Sequence, residues 1–393
     1  MDNLIIKPSY VTLFNCIGAA CEDSCCSDWT ITFDKKSYKN TIKNPQLAAI
    51  AKIAFVEIKT DADRWAQIKL NPQGTCPFVN EHKLCNIHAK AGEKALSDTC
   101  RTYPRTHNIF GGTKYESLSL SCPEVARLVL FNQDAFQFDV NTSGIKRQSS
   151  PSPLWLEKTY EYSLDLLINL GLDWQQALMA IGFLIKVSDQ VRQDELPISE
   201  IDKRFQQLKL LAESKLITEQ YQKIPYTPQP QMRAFLSVHD QLCKSHSRSL
   251  RPRFTSLNEA IALLCNEQND YQIDALNNAW DEYAMPALVN HPDLFDRYIL
   301  YSIYHNHFPF IDTQQPWVAF RLLVLDCFMV RCYLSAVAYK NKGLSESDIV
   351  MCFQIYHVVR QHQVKFSEGI NETLQECGID SIPAAMSLLK TAN

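Results

Sequence analysis

Eight cysteines crowd the first 122 residues of this chain, and thiols so placed do metal or redox chemistry. They fall in three cassettes. CIGAACEDSCCSDW carries Cys16, Cys21, Cys25 and Cys26. CPFVNEHKLCNIH carries Cys76 and Cys85. LSDTCRTYPRTH, with the later LSLSCPE, carries Cys100 and Cys122. Thiolates are soft donors that suit iron–sulfur clusters and zinc. Four of them complete either a 4Fe–4S cluster or a structural zinc site. Ligands a few residues apart close short loops at little cost in chain entropy. Eight thiols allow two sites, or one site with cysteines to spare. The spacing departs from C-x2-C…C-x2-C, which would favour zinc. Iron–sulfur therefore ranks first, zinc second, and free buried cysteines third. His82, His88 and His107 lie in the same stretch, but a lone histidine is more often a surface or loop residue. Adjacent Cys25 and Cys26 would point to opposite sides of an extended backbone, so one of the two need not ligate, though both stay candidates.

The elements that must hold these thiols follow from the rest of the chain. It has 393 residues, 46% hydrophobic and 21% charged, enough for two or three ordinary domains. A net charge of −4 gives no general basic field, so nucleic acid is not an expected partner. No basic n-region with a long apolar run opens the sequence, so no secretory signal is expected. The most apolar stretch, WVAFRLLVLDCFMV, is shorter than a span of about 20 residues and contains Arg321 and Asp326. It reads as a buried helix, and no membrane association is expected. A cytoplasmic location keeps thiols reduced, which favours metal binding over disulfides.

Residues 1–137 read as a Cys-rich metal-binding domain of short loops and a few helices. The polar stretch 138–153 reads as a linker. Residues 154–393 read as an all-helical domain: apolar residues recur at helical spacing, with Gly171 as a break and Ser199 near a helix start. The expected fold is thus mainly α. The six later cysteines, from Cys243 to Cys377, sit in apolar helical patterns and are assigned to packing. Neither GxGxxG nor GxxxxGK[ST] occurs, which excludes the usual dinucleotide fold and P-loop signatures.

The ordered run CIGAACEDSCC, GTCPFVNEHKLCNIH, LSDTCRTYPR and LSLSCPEVARLVL resembles the flagellin lysine-N-methylase family over roughly residues 8–130. It is looser kin to CxxxCC proteins thought to chelate zinc or iron. The resemblance implies a methyltransferase dependent on S-adenosylmethionine (SAM) that modifies surface lysines of flagellin in the cytoplasm. It also implies an iron–sulfur cluster carried by Cys16, Cys21, Cys25, Cys26, Cys76, Cys85, Cys100 and Cys122, with Cys25, Cys76, Cys85 and Cys100 the first choice for one cluster. The helical region would dock the substrate. The runner-up is a non-catalytic metal-binding or redox-sensing module with a helical partner-binding domain.

Lysine methylation sets physical requirements. With a pKa near 10.4, only about one lysine in a thousand to ten thousand is neutral near pH 7. The enzyme must favour the free amine and align it with the donor methyl. Arg101 and Arg105 flank Tyr103 beside Cys100. They could anchor a carboxylate of SAM or substrate, or offset the charge of a thiolate-bound cluster. Trp29, Trp65, Tyr38, Tyr103 and Tyr115 are aromatic faces for a sulfonium or methylammonium. His305 and His307, in YSIYHNHFPF, mark either a groove or a helix end packed on the core.

Overall fold

The computed structural model describes residues 3–27, 31–143, 151–244, 251–268, 270–310, 315–362 and 366–392. Trp29 and residues 144–150 of the expected linker lie outside them.

Two small sheets stand in the Cys-rich part. The first has β1 (Asn3–Pro8), β5 (Arg105–Phe110), β6 (Thr113–Leu118) and β7 (Phe138–Ser143) in the order β5-β6-β1-β7. Strand β1 runs parallel to β6, with Ile5 opposite Lys114, and antiparallel to β7. The β5–β6 hairpin turns through Gly111 and Gly112, both at positive φ, the conformation a two-residue hairpin needs. The second sheet places β4 (Ala66–Ile68) between β2 (Thr32–Phe33) and β3 (Phe55–Glu57). Residues 138–143, expected as linker, are instead the edge strand of the first sheet. Their Phe138, Val140 and Thr142 alternate with polar residues, as a strand requires.

The helices that bear on the site are α1 (Asn86–Ala91), α2 (Asp98–Thr102), α3 (Pro123–Phe131), α4 (Leu154–Ile168), α5 (Trp174–Arg192), α6 (Pro252–Ala262), α7 (Leu294–Asn306), α8 (Pro316–Asn341) and α9 (Glu346–Arg360). The chain is mainly helical, as expected, with a Cys-rich first part and a helical remainder. Gly171 lies in the break between α4 and α5. Ser199 is the first residue of its helix, not its cap, which falls on Ile198. Helix α8 is apolar all round because it is surrounded: 22 of its 26 residues are buried. By length and composition it could cross a membrane, but 94% of its apolar window is covered by the rest of the fold. Gly182 on α5 admits α8 closely. A Cβ there would stand 2.6 Å from Phe320 Cζ.

Two cores result. The large one runs from Tyr10, Phe14 and Leu118 through α3 into the helices around α8. The small one holds eleven buried residues between Ile31 and Ala95, four of them alanine. Such a core is meagre for the loops it must hold, and small modules of this kind are commonly stapled by metal.

Candidate metal centre and adjoining cavity

Cys76, Cys85 and Cys100 pack against the small core, whereas Cys122 belongs to the large one. The thiols therefore gather where the two cores meet. Local structure delivers each. Cys85 is the N-cap residue of α1, where the nearby backbone amides of Ile87 and His88 favour its thiolate. Cys122 is the N-cap residue of α3, where the nearby backbone amides of Val125 and Glu124 favour its thiolate. Cys100 lies in the first turn of α2, which Ser97 caps. The Cys76 amide donates to the Cys26 carbonyl at 2.9 Å, holding the first two cassettes together. Amides and helix N-termini aimed at sulfur favour the thiolate and also tune iron–sulfur sites.

Five thiols share one electrostatic neighbourhood. Cys26 lies within electrostatic range of Cys25, Cys76 and Cys85, and Cys100 within range of the same three. Cys25 also borders a second group with Cys21 and Cys122. Both members of the adjacent pair thus face the thiol group, because residues 25 and 26 form a turn and not the extended backbone expected. The Cys26 thiol donates to Cys25, which holds Cys25 down at about 7 and pushes Cys26 up. Burial raises Cys76 to about 11 and Cys100 and Cys122 to about 12. Burial also raises Cys21 and Cys85. Cys16 is exposed. Among the described residues, no three thiols, imidazoles or carboxylates stand at the spacing of one bare ion's donor shell. The donor set nonetheless suits a soft metal group. Several desolvated thiols crowded together become tolerable as thiolates once a cation stands among them.

Of the histidines in the same stretch, His82, His88 and His107 all carry exposed side chains. Cys327, Cys332, Cys352 and Cys377 are buried in the helical part, but Cys243 and Cys265 are only partly so.

The helical region reaches the thiol loop through residues that carry no motif. Arg251, just before α6, pairs with Asp23 at 2.5 Å, both side chains about nine-tenths buried, and donates to the Ser27 carbonyl at 2.9 Å. The Arg251 charge helps lower Cys25. Gln354 on α9 donates to Asp23 at 2.7 Å and to the Ser121 carbonyl at 3.1 Å, and accepts from Arg253 at 2.9 Å. Gln354, His357 and Gln361 recur at helical spacing along the otherwise apolar α9. That polar stripe was the one sequence signal of this contact.

Tyr103 links the thiols to a cavity. Its ring lies near Cys122 and Cys25, and burial raises its hydroxyl well above the usual tyrosine range. The hydroxyl shares a 3.0 Å hydrogen bond with Ser121, which in turn meets His362 Nε2 at 2.9 Å. Beyond Tyr103 opens a cavity of about 220 Å3, walled by Tyr103, Arg105, Ser119, His305, Gln361 and His362 among others. Its back is one hydrogen-bonded chain. Ser119 donates to Gln361 Oε1 at 2.5 Å and meets Ser121 at 2.8 Å. Gln361 Nε2 approaches Tyr301 Oη and His305 Nε2, each at 3.3 Å, and His305 Nδ1 meets Ser117 at 2.8 Å. Burial lowers His305 to about 4, so its imidazole is neutral at pH 7. Arg105 is exposed at the rim with its guanidinium over Phe14 at 5.3 Å. Arg101 is exposed and paired with Asp98 on its own helix.

The other aromatic candidates serve packing. Tyr38 donates to Glu57 at 2.6 Å, and Lys35 lies 4.0 Å over the Trp65 ring. Tyr115 joins Phe110 and Tyr160 around His307, which stacks on Phe110 at 3.7 Å and on Tyr160 at 4.5 Å. His307 thus belongs to a packed aromatic box, while His305 faces the cavity.

A knot of mostly half-buried thiols joined to a helical body defines the class: a cysteine-type metal module built into an α-rich protein. Comparison with known proteins agrees. Residues 15–123, which hold all eight of these cysteines, match the family described as "Putative zinc- or iron-chelating domain". Residues 160–388 match the FliB lysine N-methylase C-terminal domain, and the chain belongs to that lysine N-methylase family. It is 24% identical to the lysine-N-methylase of Salmonella typhimurium (strain LT2) over 94% of this chain and 95% of the relative. The corresponding Salmonella choleraesuis protein is 23% identical over the same shares. A 134-residue stretch is 39% identical to the flagellar biosynthetic protein FliU of Salmonella muenchen, over 33% of this chain and 79% of the relative. No solved structure matches the chain.

Proposed function

We propose that the chain is a cytoplasmic, SAM-dependent methyltransferase that modifies surface lysines of flagellin and depends on a cysteine-ligated iron–sulfur cluster, of 4Fe–4S type. The carrying observation is that Cys25, Cys26, Cys76, Cys85 and Cys100 share one electrostatic neighbourhood, with Cys100 in the short helix whose Thr99 and Thr102 line the cavity. The lysine specificity rests on the family, and the flagellar target on the FliU likeness together with the family resemblance. Cys76, Cys85 and Cys100 with Cys25 are the first ligand set, with Cys26 the nearest substitute. Cys21 and Cys122 form a flanking pair, and Cys16 a peripheral one. Bound there, the cluster would staple the small core to the large one and fix Tyr103 at the cavity. Arg105 at the rim, with Tyr103, is the first choice for holding the donor's carboxylate end. Arg101 would join them by exchanging its bond to Asp98. The helical part, residues 154–393, docks the protein substrate.

The test begins with anaerobic purification of the full chain. Iron, acid-labile sulfide and zinc are quantified, followed by incubation with flagellin and methyl-labelled SAM and mass spectrometry of the flagellin lysines. A brown protein with matched iron and sulfide and +14 Da lysines supports the assignment. A colourless protein holding stoichiometric zinc would replace the cluster by a structural site. Unlabelled flagellin would bring the non-catalytic metal module forward.

A further inference from the structure

The first sheet ends in an open edge. Strand β7 pairs with β1 on one side only and stands last in the order β5-β6-β1-β7. The Ser9 amide donates to the Gln137 carbonyl, which makes Pro8 and Phe138 a non-hydrogen-bonded pair. The alternation that follows turns the N–H and C=O of Phe138, Val140 and Thr142 away from β1. Among the described residues nothing bonds these three donors and three acceptors. Their side chains share one face, where Phe138 is 45% and Val140 58% exposed. Open edges are commonly guarded by basic residues, proline or bulges. The opposite edge follows that rule: Pro104 precedes β5, which carries Arg105 and His107. Strand β7, FDVNTS, has neither a basic residue nor a proline, and its one charge, Asp139, selects a register.

We propose that β7 is the interface of a two-fold dimer, pairing antiparallel with β7 of a second copy of this chain. The two four-stranded sheets then become one continuous sheet. A two-fold contact demands a self-complementary strand, and FDVNTS is one about Val140. Val140 meets its own counterpart on the axis, and Phe138 meets the partner's Thr142 on either side. Every outward group of both strands is then bonded, with two hydrogen bonds per facing pair. Between these pairs Asp139 stands opposite the partner's Asn141, at the positions where cross-strand side chains come closest. The Asn141 amide donates to the carboxylate, once on each side of the axis. A shift of two residues in one direction sets Asp139 against the partner's Asp139, like charges directly opposed. A shift in the other direction sets Asn141 against Asn141, and either shift loses one of the three facing pairs. Charge and hydrogen bonding thus select one register, and they favour a second copy over an unrelated strand. The contact is small beside the roughly 1,200–2,000 Å2 of stable interfaces, so the dimer exchanges and its population follows concentration.

The test is sedimentation velocity of metal-loaded, full-length protein from about 1 to about 100 µM. Expected is a species of twice the 45.0 kDa chain mass whose share rises with concentration. Asn141→Asp opposes like charges on both sides of the axis and should weaken dimerisation at least tenfold. Adding Asp139→Asn exchanges the two partners and should bring dimerisation back to within about threefold of the parent. Val140→Pro removes the two donors at the axis and should abolish the dimer. Its bonds within the subunit survive, because that N–H faces outward. Metal content and unfolding temperature are measured on every variant and should not change. Where Val140→Pro lowers the unfolding temperature, the Asp139 and Asn141 variants decide alone. A parent protein monomeric throughout, a dimer indifferent to Asn141→Asp, or no recovery in the double variant overturns the proposal. So does a monomeric parent whose binding to flagellin is lost in Val140→Pro, which would give the edge to the substrate.

Discussion

Replacing Arg251 by Met tests the contact that joins the thiol loop to the helical body. The guanidinium donates to Asp23 at 2.5 Å and to the Ser27 carbonyl at 2.9 Å, with side-chain exposures of 11% for Arg251 and 10% for Asp23. At an effective dielectric of about 20, opposite charges some 4 Å apart attract by roughly 4 kcal/mol. Breaking a buried pair by removing one partner costs about 3–5 kcal/mol, since the other charge is left uncompensated. Gln354 still donates to Asp23 at 2.7 Å, which places Arg251→Met toward the lower end, about 3 kcal/mol. An unfolding entropy of about 2.1 cal/mol/K per residue makes that roughly 4 °C in Tm for a chain of this length. The assay is a double-mutant cycle with Asp23→Asn, read by urea denaturation of metal-loaded protein, with metal content measured on each sample. Expected is a coupling of about 2–3 kcal/mol between the two positions. Two singles whose costs simply add, or an Arg251→Met protein within about 0.5 kcal/mol of the parent, would refute the view that this pair clamps the loop.

Cys85→Ser and Cys100→Ser should each lose metal and loosen residues 31–100, whereas Cys352→Ala, in the helical core, should keep full metal content; metal analysis of the three proteins decides. Gly182→Ala forces α5 and α8 apart against Phe320 and should cost about 1–3 kcal/mol, measured by urea denaturation. Burial holds His239, His305 and His307 at about 4, below the unfolded value near 6.5. The native state therefore binds fewer protons. The stability these groups confer is complete above pH 6.5 and is lost as pH falls from there toward 4. His307→Phe preserves the stack on Phe110 and Tyr160 and removes a buried Nδ1 that lacks a hydrogen-bond partner. Denaturation series from pH 7 to 4.5 should show a shallower acid decline for that variant, and an unchanged slope would count against His307 as a contributor.

The thiol cassettes were legible because their chemistry is local: spacing alone brings Cys76 near Cys85, and Cys85 and Cys122 fall at helix N-termini. The large helices were legible from their period, and α8 from its apolar length. The first sheet was not. Its central strand pairs residues 5 and 6 with 114 and 115, and its edge strand begins in a stretch that reads as linker, so no window contains the pairing. The turn at residues 25 and 26 was equally hidden, and with it the way both thiols join one group. Arg251, Gln354 and His362 meet the Cys-rich part only through tertiary packing. A single arginine or glutamine in a helical pattern announces no such partner, and only the polar stripe on α9 hinted at one.

The sheet order also dictates a timetable. Strand β1 lies between β6 and β7, both of which are made after all the cysteine loops from Cys16 to Cys100. In vectorial synthesis Ile5 waits for Lys114, about a hundred residues later, and until then the thiol loops hang between unpaired ends. The nascent chain thus leaves seven of its eight clustered thiols open before the sheet can close behind them. Metal loading and sheet closure are ordered by topology: the first can begin on the ribosome, and the second completes the enclosure.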